Sequence, residues 1–336
     1  MCLRTRGRAP GPEGGPAALG PGAPRSRHTP AAWRPGPAGL RDSGAALVAE
    51  TETAGVESDA GSAAAVVELV EPEPVFGQPT ALRDVDLPLF AGEGALPAAA
   101  DVVQGALDNC PVAAILAALA HVDPESVVGM VQRSTADVRS RRSSDPPGSA
   151  TYRTSRLYTV QFRSGGPVRV SSYLYYTQGA IAYAHSPEDR AAWMSYIEKA
   201  YAMMRGGGSY NRLGRTTHLG EAPTVNRVME DLAGTYDFAD LAENQMYRSG
   251  ADAVPLTDAM LRDMLGRADR RATVAASASS GVPAGVVPNH AYTVLNRSRA
   301  AVRLRNPQGG SGAEVSFTME EFRSIFRAVL QAQPEG

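Results

Sequence analysis

The 336 residues suffice for two domains or one large two-lobed domain, and the 43 % of hydrophobic residues suits a globular protein. A formal net charge of −2 gives no global attraction to nucleic acid or to an anionic membrane surface. Two cysteines, Cys2 and Cys110, exclude a disulfide scaffold, and no run nears the ~20 apolar residues of a membrane span.

Residues 1–75 read as a disordered Ala/Pro/Gly-rich arm. Seven Arg stand against one acid, Glu13, from Met1 to Arg41; eight acids and no base follow from Asp42 to Pro74. Such a stretch buries too little apolar surface to offset its ordering entropy. Its patch "AAAVVELV" reads as a transient helix. The N-terminus has charge but no apolar core segment, so a standard secretory signal is absent. The cytoplasm is the default compartment, with signal-independent export left open. Lys199 is the single lysine in the chain. The Arg excess, beside so much Ala, Gly and Pro, reads as coding bias rather than as a phosphate-binding signature.

The folded part begins near "VFGQPTALRDVDLPLF". Cys110 to His121 is apolar on every face, which predicts a helix buried all round. Asp108 or Asn109 is its expected cap, and Pro111 fits the first turn. "TADVRSRRSSDPPGSATYRTSR" reads as a polar surface loop, and "RLYTVQFRSGGPVRVSSYLYYT" as a hairpin around Gly165 and Gly166. "HSPEDRAAWMSYIEKAYAMMRGGG" predicts a helix capped at Ser186, with a box to Asp189 and a stop at Gly206 to Gly208. Two further helices are expected after Thr224, ending at Gly234, and after Thr257. "RRATVAASAS", "HAYTVLN", "AVRLRN" and "AEVSF" read as strands. A last helix starts at the Thr318–Glu321 box, with Phe322, Ile325, Phe326 and Val329 on one face. A helix-rich part thus precedes a strand-rich one, as in an α+β protein.

Centred on Ser298, the hairpin "NHAYTVLNRSRAAVRLRN" opposes Val294 to Val302, Tyr292 to Leu304 and His290 to Asn306, all on one face. A histidine beside a neutral amide, in a chain with one internal thiol, suggests nucleophilic catalysis. The imidazole takes the thiol proton while the amide holds the ring. Cys110 lies at a helix start, where the dipole favours a thiolate. Its backbone N–H and the amide of Gln104 are candidate donors for an oxyanion. The ordinary readings are a small core cysteine, a structural histidine and a turn-forming Asn-Pro. His28, His121, His185 and His218 show no metal-ligand spacing, so no metal site is assigned.

In order along the chain, "DVVQGALDNCPVAAILAALA", "AAWMSYIEKAYAMMRGGGSYNRL", "TVNRVMEDLAG", "NHAYTVL", "VRLRNPQGG" and "SFTMEEFRSIF" resemble segments of the calpain family of papain-like cysteine peptidases. The resemblance covers about 80–330. It implies a papain-like two-lobed α+β fold, with a subdomain at 76–234 carrying nucleophile Cys110 and oxyanion donor Gln104. A second, at 235–333, would carry base His290 and orienting Asn306. It implies a thiol endopeptidase acting on protein or peptide substrates. Glu198 and Lys199 read as structural. Calcium is open by resemblance alone, and no other cofactor is implied. Asp108 and Asn109 stand where the family has Gly-Asp, and Pro111 and Gln308 where it has Trp. The losses at 111 and 308 motivate one rival, a catalytically weak or inactive calpain-like binding module; a second rival is an exported effector or toxin peptidase, with the 1–75 arm as its address.

Overall fold

The computed structural model describes residues 66–334, except 79, 93, 150–151, 215–222, 249–250 and 311. The expected arm up to residue 65, with Cys2 and His28, lies outside the described residues, as does His218.

The chain runs β1 (Val66–Glu71), β2 (Ala81–Asp84), α1 (Cys110–Val122), α2 (Pro124–Met130), β3 (Val131–Arg142), β4 (Tyr152–Val160), β5 (Val168–Ser171), β6 (Tyr173–Thr177), β7 (Ala180–Ile181), α3 (Trp193–Met204) and α4 (Val225–Ala233). It continues through β8 (Tyr236–Asp240), β9 (Gln245–Tyr247), β10 (Val254–Pro255), α5 (Asp258–Gly266), β11 (Thr273–Ser277), β12 (Ala291–Arg297), β13 (Val302–Arg305), β14 (Glu314–Phe317), α6 (Met319–Ile325) and β15 (Phe326–Ala332). Among the described residues three sheets form, ordered β1-β3-β4-β5, β2-β6-β7 and β10-β9-β8-β15-β11-β12-β13-β14. The fold is α+β.

The helix α1 is buried from Cys110 to Ala120, as its uninterrupted apolar run predicts. Alanines at 113, 114, 117, 118 and 120 let it lie close against β12. Thr293 Oγ1 donates to the Ala114 carbonyl at 2.8 Å, and His121 Nε2 meets the Leu295 carbonyl at 2.8 Å. Behind β12 a core forms from Tyr292, Val294, Leu304, Phe322 and Val329. Caps at Thr224, Thr257 and Thr318 form as expected, each hydroxyl accepting a backbone N–H.

Several expectations are corrected. Val66–Glu71, assigned to the arm and its transient helix, is strand β1, parallel to β3. The expected loop after residue 134 is largely strand: Val138 and Ser140 face inward while the charges beside them face out. Among the described residues, the part before 234 therefore holds seven strands beside four α-helices rather than being mainly helical. Helix α3 starts at Trp193, not near Pro187. Glu188 and Asp189 take positive φ, the Ala192 N–H goes to the Pro88 and Leu89 carbonyls, and the Trp193 N–H goes to the Leu89 carbonyl. Ser186 Oγ instead accepts the Ala191 N–H. Phe326 and Val329 lie in β15, because that segment is flanked by β8 and β11 in the sheet and pairing overrides helical spacing.

Candidate active site

The loop before α1 is shaped by its backbone. Val103 and His185 exchange both hydrogen bonds, at 2.9 and 3.0 Å, and Ala106 N–H donates to the Ala182 carbonyl at 2.9 Å. Between them Gly105 has φ +70°, and a Cβ there would stand 2.3 Å from the Tyr183 carbonyl oxygen. Only glycine fits that approach. The loop ends on Cys110, the first residue of α1, whose side chain is fully buried.

The expected residues Cys110, His290 and Asn306 come to one seam. Cys110 Sγ accepts the backbone N–H of Ala291, the residue after His290, at 3.3 Å. His290 is buried, its backbone held by Ser277: Ser277 Oγ accepts the His290 N–H at 3.0 Å, and Ser277 N–H donates to the His290 carbonyl at 2.9 Å. Its ring packs edge-on to Tyr292, with centroids 5.1 Å apart. His290 Nε2 lies 2.9 Å from Asn306 Oδ1.

The register behind that contact differs from the expected one. Val294 pairs with Leu304, not Val302, and a bulge lies between Val294 and Asn296. The shift of two residues preserves which side chains share a face, so His290 reaches Asn306 diagonally rather than directly across.

Asn306 Oδ1 also accepts the Gln308 backbone N–H at 3.0 Å. This fixes the amide orientation, since a flipped NH2 would confront that N–H. Oδ1 only accepts, so His290 Nε2 is the donor in this contact. The exposed Gln308 side chain takes no part in this; its peptide N–H does.

Gln104 is buried. Its Nε2 donates to the Leu107 carbonyl at 2.6 Å, and its backbone N–H to the Pro307 carbonyl at 2.9 Å. One amide hydrogen thus holds the turn, and the same nitrogen has a second. Asn109 occupies the cap position of α1 but does not cap it. Its Nδ2 donates instead to Glu198 Oε1 at 2.6 Å.

A profile of the calpain family cysteine protease domain matches residues 79–321. The chain belongs to the calpain family. It is similar to calpain clp-1 of Caenorhabditis elegans, at 26% identity over 251 residues. That alignment covers 69% of this chain but only 28% of the relative. Among the described residues of this calpain-family chain, no three His, Cys, Asp or Glu side chains gather as metal ligands. No described helix is long and apolar enough to cross a membrane.

Sequence reading missed Arg305, beside Asn306. Its guanidinium donates to the carbonyls of Ala99 (2.8 Å), Ala100 (3.2 Å) and Val102 (2.9 Å), just ahead of Gln104. With the Gln104–Pro307 bond, it clamps the loop before Cys110 to the loop after β13. One Arg among so many gave no signal for this. Arg305→Ala is expected to cost about 3 kcal/mol in urea unfolding, since it strands charge-assisted acceptors. Arg305→Lys should recover only part, because an ammonium cannot fork across three carbonyls.

Proposed function

We propose that this chain is a calpain-like cysteine endopeptidase with a papain-like two-lobed fold. Residues 76–234 supply Cys110 and Gln104, and residues 235–333 supply His290 and Asn306. The observation that carries the reading is the locked His290–Asn306 bond, on the residue whose neighbour, Ala291, donates to the Cys110 sulfur.

His290 Nδ1 takes the Cys110 proton, and the resulting imidazolium stays bonded to Asn306 Oδ1 through Nε2–H. The thiolate, favoured by the positive end of α1, attacks a peptide carbonyl carbon. The second N–H of Gln104 Nε2 and the Cys110 backbone N–H stabilise the oxyanion. As the C–N bond breaks, the imidazolium gives its proton to the departing amine, leaving an acyl-thioester on Cys110. Water, losing its proton to His290, hydrolyses the thioester and restores the thiol. Protein or peptide chains are the substrates.

An E-64-type epoxide should alkylate one site per chain, on the peptide carrying Cys110, and Cys110→Ala should abolish the adduct. A folded protein that takes no label, with or without calcium, would overturn the proposal. The exposed Gln308 beside the His290–Asn306 bond favours one rival, a binding module with a dead site. A cellular role that survives Cys110→Ala would select that rival.

A further inference from the structure

Glu198 stands in α3 directly behind the loop that carries Cys110, fully buried. Its Oε1 accepts Asn109 Nδ2 at 2.6 Å, and its Oε2 accepts the Ala184 backbone N–H at 2.8 Å. Asn109 immediately precedes Cys110. Ala184 lies in the segment 182–185 whose backbone pairs with Val103 and Ala106. One carboxylate therefore ties the end of the loop to the segment that supports its start.

Two features argue that this is more than the filling of a buried donor. A buried carboxylate is a costly way to satisfy one amide. The carbonyl of the same residue, Ala184, is satisfied by a neutral hydroxyl, Ser195 Oγ, at 2.6 Å. In addition, Asn at a helix start ordinarily turns its side-chain oxygen onto the first N–H groups. Asn109 gives up that role and points its NH2 at Glu198, so no side-chain oxygen caps the helix start where Cys110 sits. An anion formed there keeps the positive end of the helix to itself.

We infer that Glu198 is a positioning residue for the nucleophile, acting through Asn109 to hold the Cys110 turn in its reactive geometry. The inference rests on the reading of Cys110 as nucleophile. Around the carboxylate stand the hydroxyls of Tyr183 and Tyr210, whose own ionisation burial pushes further upward, so they stay neutral; Lys199, next along α3, pairs with Glu71. Burial pushes the Glu198 carboxyl up to about 7, against the opposing pull of the Asn109 and Ala184 N–H groups. The grip on Asn109 is thus charge-assisted above neutrality and weaker below it, and activity gains a limb that rises through about pH 7.

The test measures epoxide alkylation rate against pH, together with kcat and KM on an unfolded protein, for wild type, Glu198→Gln, Asn109→Ala and the double variant. Each single change is expected to lower kcat about 10- to 100-fold with KM little changed, as a small misplacement of a reacting group does. The double variant should be no worse than the poorer single. The limb near pH 7 should vanish in Glu198→Gln. If Glu198→Gln does not fold, Asn109→Ala carries the test: it breaks the link at the loop, and it too should lower kcat and flatten that limb. Folded variants with wild-type kcat and pH profile would overturn the inference, as would losses that multiply in the double variant. An unlabelled wild type overturns the nucleophile reading and this inference with it. A labelled wild type with an indifferent Glu198→Gln overturns this inference alone.

Discussion

Cys110→Ala and His290→Ala should each lower turnover of an unfolded protein substrate by about 10^6-fold, and the double variant should be scarcely worse. In the proposed mechanism the thiol and its base act as a unit. Without His290 no group takes the thiol proton; without Cys110 the imidazole has no nucleophile to activate. Asn306→Ala should fall between these and wild type, because it removes the acceptor that fixes the proton on Nε2 but leaves the ring in place, held by Tyr292 and Ser277. Gln104→Ala should cost about 10^2- to 10^3-fold in kcat, the range for one oxyanion donor. Progress curves on a casein-like substrate give this order. Equal losses for Gln104 and Cys110 would contradict the division of labour, as would an Asn306→Ala that kept full turnover.

Much of this arrangement was legible in the residues. The thiol at a helix start, the buried helix behind it and the strands around His290 and Asn306 each rest on a local signal: an apolar run, a cap residue, an alternation. The contact of His290 with Asn306 was legible for a subtler reason. Facial parity survives a slip of two residues, so the pair meets although the register differs from the one centred on Ser298. What escaped was set by tertiary partners. The bulge in β12 has no local mark. Strand β15 looked helical because Phe322, Ile325, Phe326 and Val329 have helical spacing, while its pairing with β8 and β11 decides otherwise. Strand β1 lay in an Ala-rich, acidic stretch, and its partner β3 carried enough charge to read as a loop. Asn109 looked like an ordinary cap, since nothing near it in sequence announces Glu198.

Lys199→Met is expected to be among the most destabilising single changes in the chain. The ammonium is buried in α3, 2.6 Å from the buried Glu71 carboxylate that ends β1. It also donates to the Ser171 carbonyl (3.0 Å) and hydroxyl (3.0 Å) and to the Tyr173 carbonyl (2.7 Å). Ser171 Oγ in turn donates to Glu71 Oε1 at 2.5 Å. Removing the cation leaves Glu71 an uncompensated buried charge, which costs about 3–5 kcal/mol. Burial itself lowers the Lys199 pKa and the Glu71 carboxylate opposes that, so the pair offsets a desolvation cost rather than adding a large surplus. Glu71→Gln in the Lys199→Met background should therefore restore a substantial part of the loss, which urea unfolding of the four proteins measures as a double-mutant cycle. Additive losses would mean that the two side chains are not coupled. The pair also reaches the chemistry by a short route. It ties β1 to α3 at Lys199, and the preceding residue, Glu198, bears on the Cys110 turn. Lys199→Met should consequently slow Cys110 alkylation even where it stays folded, and the second-site Glu71→Gln should recover stability more completely than alkylation rate, because the helix regains a neutral neighbour but not its anchor.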